Sequence, residues 1–443
     1  MGNMTIDWAK VEPEVTAHLQ ELVRFDTTNP PGNEKPAAEY LAKVLRREGI
    51  EADVLESAPG RGSVLGCLRG SRQAPPFLMI SHLDVVAVER DHWQEDPFAG
   101  VLKDGYIWGR GSLDTKDLTA QHLMIMLLLK RQGIKLNRDL YFAATADEET
   151  TGRFGIGYLI QQRPEILTCA CAFNEGAGWD LDVNGQRLYT CETAEKGHTW
   201  MRLRARGQPG HGSTPTGDSA VATLCQALAR LSTAQFPEHQ IRTVDTFTRA
   251  VGAAVLGAKA ASAEEERQAG ETWIRNDPEL GRMLSPMHHN TATPTVLRAG
   301  EKTNVIPAVA EAEVDGRRLP GQTVESHLAE IMPYLGDKIE VEVFNKTESY
   351  ETEYDSDLFE IMQTVMAEFD PGSRVVPYMV TGSTDSYYLG PRGIKAYGFQ
   401  PYRRDSDVPL MQLVHGHNER VSVANLMFGT KTLYEIVRRY CAL

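Results

Sequence analysis

The stretch "LMISHLDVV" (residues 78–86) closes an apolar run on an imidazole and a carboxylate, His82 and Asp84, two positions apart. Strand side chains repeat every second position, so these two point the same way and can act on one object. A near-continuous apolar run of this length reads as a strand buried on both faces. Around it, "FLMIS" (77–81), "DLYFAATA" (139–146) and "CACAFN" (169–174) alternate with helical segments. One of these, "TKDLTAQHLMIMLLLKRQG" (115–133), shows a broad apolar face of Leu118, Leu123, Met124, Met126 and Leu127; a shorter helix is expected near 155–162. The pattern predicts an α/β fold with a mixed, mostly parallel sheet covered by helices, and chemistry collecting at the carboxyl ends of its strands.

The character changes after about Thr193. "HTWMRLRARG" (198–207) alternates apolar and charged residues, and "SAVATLCQALARLS" (219–232) is amphipathic. Strands at 294–298 and 309–318, the helix "TVESHLAEIMPYL" and the strand "KIEVEVF" complete a smaller α+β unit with one exposed sheet face. The segment 240–292 reads as a helical insertion with no assigned task. The α/β pattern then resumes, so a domain at 194–347 is expected to interrupt a first domain built from 1–193 and 348–443.

A chain of 443 residues is too long for one ordinary core, which agrees with two domains. Its formal charge of −14 argues against nucleic acid or an anionic membrane as the main partner. The N-terminus lacks the basic start and apolar core of a signal peptide, and no window reads as a membrane span. Six cysteines without CxxC spacing read as reduced thiols, and the chain as cytoplasmic.

The residues capable of chemistry stand at the predicted strand ends. His82 and Asp84 follow the first; "GRGSLDTKD" carries Asp114; "TADEETTG" carries Glu148 and Glu149; "AFNEGAG" carries Glu175; "LVHGHNE" carries His415 and His417. Each has an ordinary reading alone: a satisfied polar cluster, a solvated Glu pair, or, for Asp114, a helix cap. Taken together, so many acids on one sheet edge would repel one another unless cations neutralise them. Two histidines with carboxylates suit two divalent ions, zinc first, with cobalt or manganese as alternatives. A shared carboxylate can hold such ions about 3.5–4 Å apart. Glu148 and Glu149 can both serve only if the chain turns where the strand ends.

The ordered set HLD, GRGSLDTKD, DEE, NEG, GHGSTP, NVIP, DGR, GSTDS and VHGHNE resembles the M20 family of co-catalytic metallohydrolases, which includes aminoacylases, deacetylases, dipeptidases and carboxypeptidases. The resemblance implies a zinc-peptidase-like catalytic domain with an inserted lid and dimerisation domain. It places one metal on His82, Asp114 and Glu175 and the other on Asp114, Glu149 and His415, with Asp114 as bridge. It makes Glu148 the general base acting on a metal-bridging hydroxide, has Asp84 orient His82, and implies a cis peptide between Asp114 and Thr115. His211 in "GQPGHGSTP" would reach the partner subunit's active site and stabilise the oxyanion. Asn304 and Arg317 would meet the substrate, the Arg on a free carboxylate, with Gly382 and Ser383 supplying further contacts. The neighbouring Arg318 is the alternative carboxylate ligand, and His417 is read as lying outside the ligand set.

The expected activity is hydrolysis of an N-acyl amino acid or small peptide with a free carboxylate, by a homodimer. Glu175, where peptidase branches of the family often have Asp, tilts the expectation toward an acyl amino acid; a dipeptidase or carboxypeptidase is the alternative. No G-x-S-x-G elbow, Walker loop or G-x-G-x-x-G turn is present, which disfavours serine hydrolase and nucleotide-binding classes. An inactive binding protein is the non-enzyme alternative, and such a protein has no use for Glu148.

Overall fold

The computed structural model describes residues 6–257, 261–404 and 410–443. Its contacts divide the chain into one unit of 1–193, 352–378 and 384–443, and a second of 194–351 with 379–383. The return to the first unit falls at Thr352 rather than at 348, because Tyr350 and Glu351 pair with Glu195 and Ala194. Met379–Ser383 joins the second unit, where the Lys196 amide donates to the Val380 carbonyl and the Thr381 hydroxyl meets the Met283 sulfur.

In the first unit the sheet runs in the order Glu51–Ala58, Arg61–Leu68, Leu140–Thr145, Phe77–His82, Cys171–Asn174, Lys395–Gly398 and Gln186–Glu195. The four middle strands are parallel, and the flanking pairs are antiparallel. Phe77–His82 and Leu140–Thr145 are buried along their whole length, the burial expected of strands covered on both faces. The register sets His82 beside Thr145 and Phe77 beside Cys171, so three parallel strands finish close together along one edge.

The helix Lys116–Arg131 departs from the expected single apolar face: every residue from Lys116 to Leu129 is buried. It packs against the sheet and between the helices Trp8–Arg24 and Val423–Cys441, so its polar positions are enclosed as well as its apolar ones. The same layer contains Val15, Leu19, Leu22, Leu426, Leu433 and Ile436, all fully buried.

The second unit holds a four-stranded antiparallel sheet in the order Thr291–Ala299, Val309–Arg318, Gly197–Arg206 and Ile339–Lys346. Met201, Leu203 and Ala205 face Leu224, Ala227, Ile331 and Leu335 of two covering helices. Arg204 and Arg206 on the other face pair with Glu311 and Glu340. The 240–292 segment forms the helices Arg242–Leu256, Ala263–Asn276 and Gly281–His288, with residues 258–260 outside the described ones. Gly252 and Gly270 let the first two of these cross with backbones in contact: a Cβ on either would strike a main-chain carbonyl of the other helix.

His122 is fully buried in the central helix, and neither ring nitrogen has a hydrogen-bond partner among the described residues. Burial pushes its pKa down to about 3. In the unfolded chain it titrates near 6.5, so below that pH the unfolded state takes up a proton that the fold refuses. The cost is absent above pH 6.5 and grows as pH falls toward the folded value. His122→Leu, which removes an unsatisfied polar ring, is expected to raise Tm by roughly 2–4 °C at pH 7.5 and by more at pH 5. Thermal melts at the two pH values check this; a gain no larger at pH 5 contradicts it.

Candidate metal centre

His82 ends its strand, and Glu175 comes one residue after Cys171–Asn174 ends. Glu148 and Glu149 follow Leu140–Thr145 after a turn at Asp147, whose φ is +72°. Asp114 lies just before the central helix, and its peptide bond to Thr115 is cis. It does not act as the cap: the N-cap position is Thr115, with no side-chain capping bond. Its backbone is held instead by Glu419, a buried carboxylate that accepts from the amides of Gly111 (3.1 Å), Leu113 (2.7 Å) and Asp114 (3.1 Å). Arg110 completes this anchor at 2.6 Å from Glu419, and it also donates to the carbonyl of Gly416 in the loop that carries His415.

The two oxygens of Asp114 face different histidines. Oδ1 lies 3.0 Å from His82 Nε2, and Oδ2 lies 3.0 Å from His415 Nε2. Glu175 Oε1 is 3.4 Å from His82 Nε2, and Glu149 Oε2 is 3.1 Å from His415 Nε2. Two donor groups result, His82–Asp114–Glu175 and Asp114–Glu149–His415, each with its ligand atoms within 4.8 Å of one another. Glu148 belongs to neither group, although its Oε2 stands 4.0 Å from His82 Nε2.

The chemistry of the set fits a pair of divalent cations. Four carboxylates confront two imidazoles, and the excess negative charge needs a partner. Burial, reinforced by Glu175, pushes the Glu148 carboxyl well above its usual range; burial and Asp114 push Glu149 up to about 7. Hydrogen bonds to Asp114 and Glu149 push His415 up to about 10. Burial opposes charge on His82, yet Glu175 and Asp114 outweigh it and raise its pKa. His82 Nδ1 sits 2.9 Å from a carbonyl, which can only accept, so Nδ1 carries the proton and Nε2 is the nitrogen left for a metal.

The carbonyl in question is that of Asp84, and this corrects the expected role of the side chain. Asp84 Oδ1 is 3.6 Å from His82 Nδ1, too far to orient the ring by hydrogen bonding. The carboxylate is engaged elsewhere: it accepts the main-chain N–H of Glu148 and of Glu149, each at 3.0 Å, and the amide of Asn29 at 2.8 Å. Asp84 therefore pins the turn that presents both glutamates. Asp147, inside that turn, pairs with Arg61 at 3.0 Å, and Arg61 in turn pairs with the buried Glu34.

The family model for peptidase family M20/M25/M40 matches residues 78–439. The chain belongs to that family. Mouse (Mus musculus) aminoacylase-1 is 28% identical over 432 residues, covering 94% of this chain and 92% of the relative. The N-fatty-acyl-amino acid synthase/hydrolase PM20D1 of Xenopus tropicalis is 28% identical over 411 residues, covering 87% and 76%. Among solved structures, the M20 family metallo-carboxypeptidase Sso-CP2 from Sulfolobus solfataricus has a TM-score of 0.71 at 17% identity, covering 96% of this chain and 99% of that one. This M20 protein is accordingly a hydrolase with the family's mixed α/β fold.

The remaining expected site residues lie in the second unit of the M20 chain. His211 is exposed on a two-residue strand paired with Val305–Ile306, and its Nδ1 lies 2.7 Å from the Ser213 hydroxyl. Asn304 is exposed beside it, its carbonyl accepting from Gly212. Arg317 is half-buried and pairs with Asp315 at 2.8 Å, whereas Arg318 is buried and donates to Thr199 and to the Gln322 carbonyl. Gly382 and Ser383, expected in the catalytic domain, group with this unit. Sequence reading missed Glu419, Arg110 and Asn29; the first two stand in "NE" and "GRG", a charged residue four positions from a predicted ligand being the signal.

Asp84→Asn puts an amide where two main-chain N–H groups need acceptors. Losing charge-assisted bonds of about 1.5–3 kcal/mol is expected to lower kcat roughly ten- to hundredfold, with the His82 ring still held by the residue-84 carbonyl. Kinetics with parallel metal analysis check it; unchanged kcat at full metal content refutes the bracing role.

Proposed function

We propose that this M20 hydrolase cleaves the amide bond of an N-acyl amino acid with a free carboxylate. His82, Asp114 and Glu175 would hold one divalent ion and Asp114, Glu149 and His415 a second, zinc by donor type. When bound, such ions polarise the substrate carbonyl and ease deprotonation of water. The observation that carries the reading is the pair of donor groups sharing Asp114, with Glu148 beside them and outside both.

Glu148 Oε2 takes the proton of the attacking water and returns it to the leaving nitrogen, so water and amide become carboxylate and amine. His211 of one chain donates to the oxyanion developing in the other chain's site of the dimer, and Asn304, Arg317, Gly382 and Ser383 receive the substrate's carboxylate end. The acyl preference is supported by a cavity of about 160 Å³ bordered by Asp114 and Glu175. Its walls include Leu113, Trp179, Tyr402, Leu410, Met411 and Val414, an apolar lining suited to an acyl chain. We also place the enzyme in the cytoplasm as a homodimer. Five of its six free cysteines are buried, and Leu297, Val305, Met332 and Phe344 of the second unit are exposed apolar residues. No helix among the described residues is long and apolar enough to cross a membrane.

A panel of N-acyl amino acids and dipeptides, assayed with zinc-, cobalt- or manganese-loaded protein, tests the function. Turnover greatest on apolar N-acyl substrates is expected. Bound metal with no hydrolysis across the panel would turn the reading into that of a binding protein. Glu148→Gln is expected to keep its metal and lose about 10²–10⁴ in kcat; full activity overturns its role. His211→Ala is expected to lower kcat more than it raises KM, since an oxyanion contact forms in the transition state. An effect on KM alone contradicts that.

A further inference from the structure

A second set of imidazole and carboxylate donors stands outside the centre. Glu89 precedes the short turn Arg90–His92, and His417 lies in the loop before the strand Arg420–Ser422. His417 Nε2 is 2.9 Å and His92 Nδ1 is 3.2 Å from the same oxygen, Glu89 Oε2. The two rings meet edge to face with centroids 4.8 Å apart, and one donor atom from each residue lies within 4.8 Å of the others.

An exposed ion pair contributes little by itself, because two mobile side chains must be held in one geometry. Here the backbones are already tied. Gln94 N–H donates to Asn418 Oδ1 at 2.7 Å, and Asn418 Nδ2 donates to the His92 carbonyl at 3.4 Å. Two loops far apart in sequence are thereby locked in register, each carrying one imidazole.

We propose that Glu89, His92 and His417 form a peripheral site for a divalent transition cation, Zn2+ by donor type. Two imidazoles and one carboxylate are a zinc donor set with a position left open. The side chains are exposed at 72% (Glu89), 62% (His92) and 43% (His417), so a bound ion stays partly hydrated and exchanges readily. His417 stands two residues from His415, on the loop that Arg110 holds through the Gly416 carbonyl. An ion at the peripheral site would clamp this loop to the 89–94 segment and so brace His415.

The test compares the zinc-loaded holoenzyme with its Glu89→Gln/His92→Ala variant, both equilibrated with excess Zn2+ and then analysed for protein-bound metal. The wild type is expected to take up one ion per chain more than the variant. Added Zn2+ is also expected to raise Tm in the wild type and not in the variant, because ligand bound to the folded state stabilises it. Equal metal content in the two proteins, or an equal Zn2+-dependent rise in Tm, would overturn the site. The difference of one ion reads out whatever the occupancy of the central donors, so failure here is distinguishable from failure of the central assignment. All three side chains are exposed, and circular dichroism checks that the variant is folded.

Discussion

A single carboxylate, that of Asp114, faces two ways, with one oxygen on His82 and the other on His415. Glu419 and Arg110 hold the segment that carries it. Its backbone would be free to swing if the segment 111–114 had no acceptor for its amides, and Glu419 supplies that acceptor from within the core. A buried carboxylate is costly unless its lone pairs are filled, and here three main-chain N–H groups and Arg110 fill them. Because Arg110 also donates to Gly416, one anchor fixes Asp114 and the His415 loop together.

The same residue type does different work according to its donors. Asp84 is saturated by two backbone amides and Asn29, which makes it a brace with little left to offer a metal or the His82 ring. Glu149 and Glu175 lie against imidazoles and have their charge opposed by burial, which is the state a bound cation relieves. Glu148 shares that crowded field yet stands outside both donor groups, where a proton acceptor is of use. The Glu89 cluster has similar donor chemistry with far less burial, and this is why weaker, exchangeable binding is assigned to it.

Much of this was legible along the chain because strand periodicity is short and strict. An apolar run ending on H-x-D, D-E-E or N-E puts its polar residues at a strand end, and parallel strands bring such ends together. A turn where that strand ends was also foreseeable, since adjacent glutamates cannot both face one point from an extended strand, but its place at Asp147 was not. The partner of Asp84 was not, because a carboxylate two residues from a histidine looks like the histidine's partner until the turn at 147–149 is seen to need its oxygens more. Nor was the all-round burial of the central helix, since polar residues such as His122 disguise a helix enclosed on every side. Met379–Ser383 reads as part of a resumed α/β pattern, yet its hydrogen bonds go to Lys196 and Met283.

Sequence alone determined the class of fold and the family, and it named the candidate ligands of the central donor groups, because each depends on local spacing and on residue type. Tertiary structure decided which oxygen faces which imidazole, which acids brace and which remain available. It also decided that Glu89, His92 and His417 meet at all. Those outcomes depend on hydrogen bonds between segments tens to hundreds of residues apart, and a carboxylate's role is set by the donors that surround it.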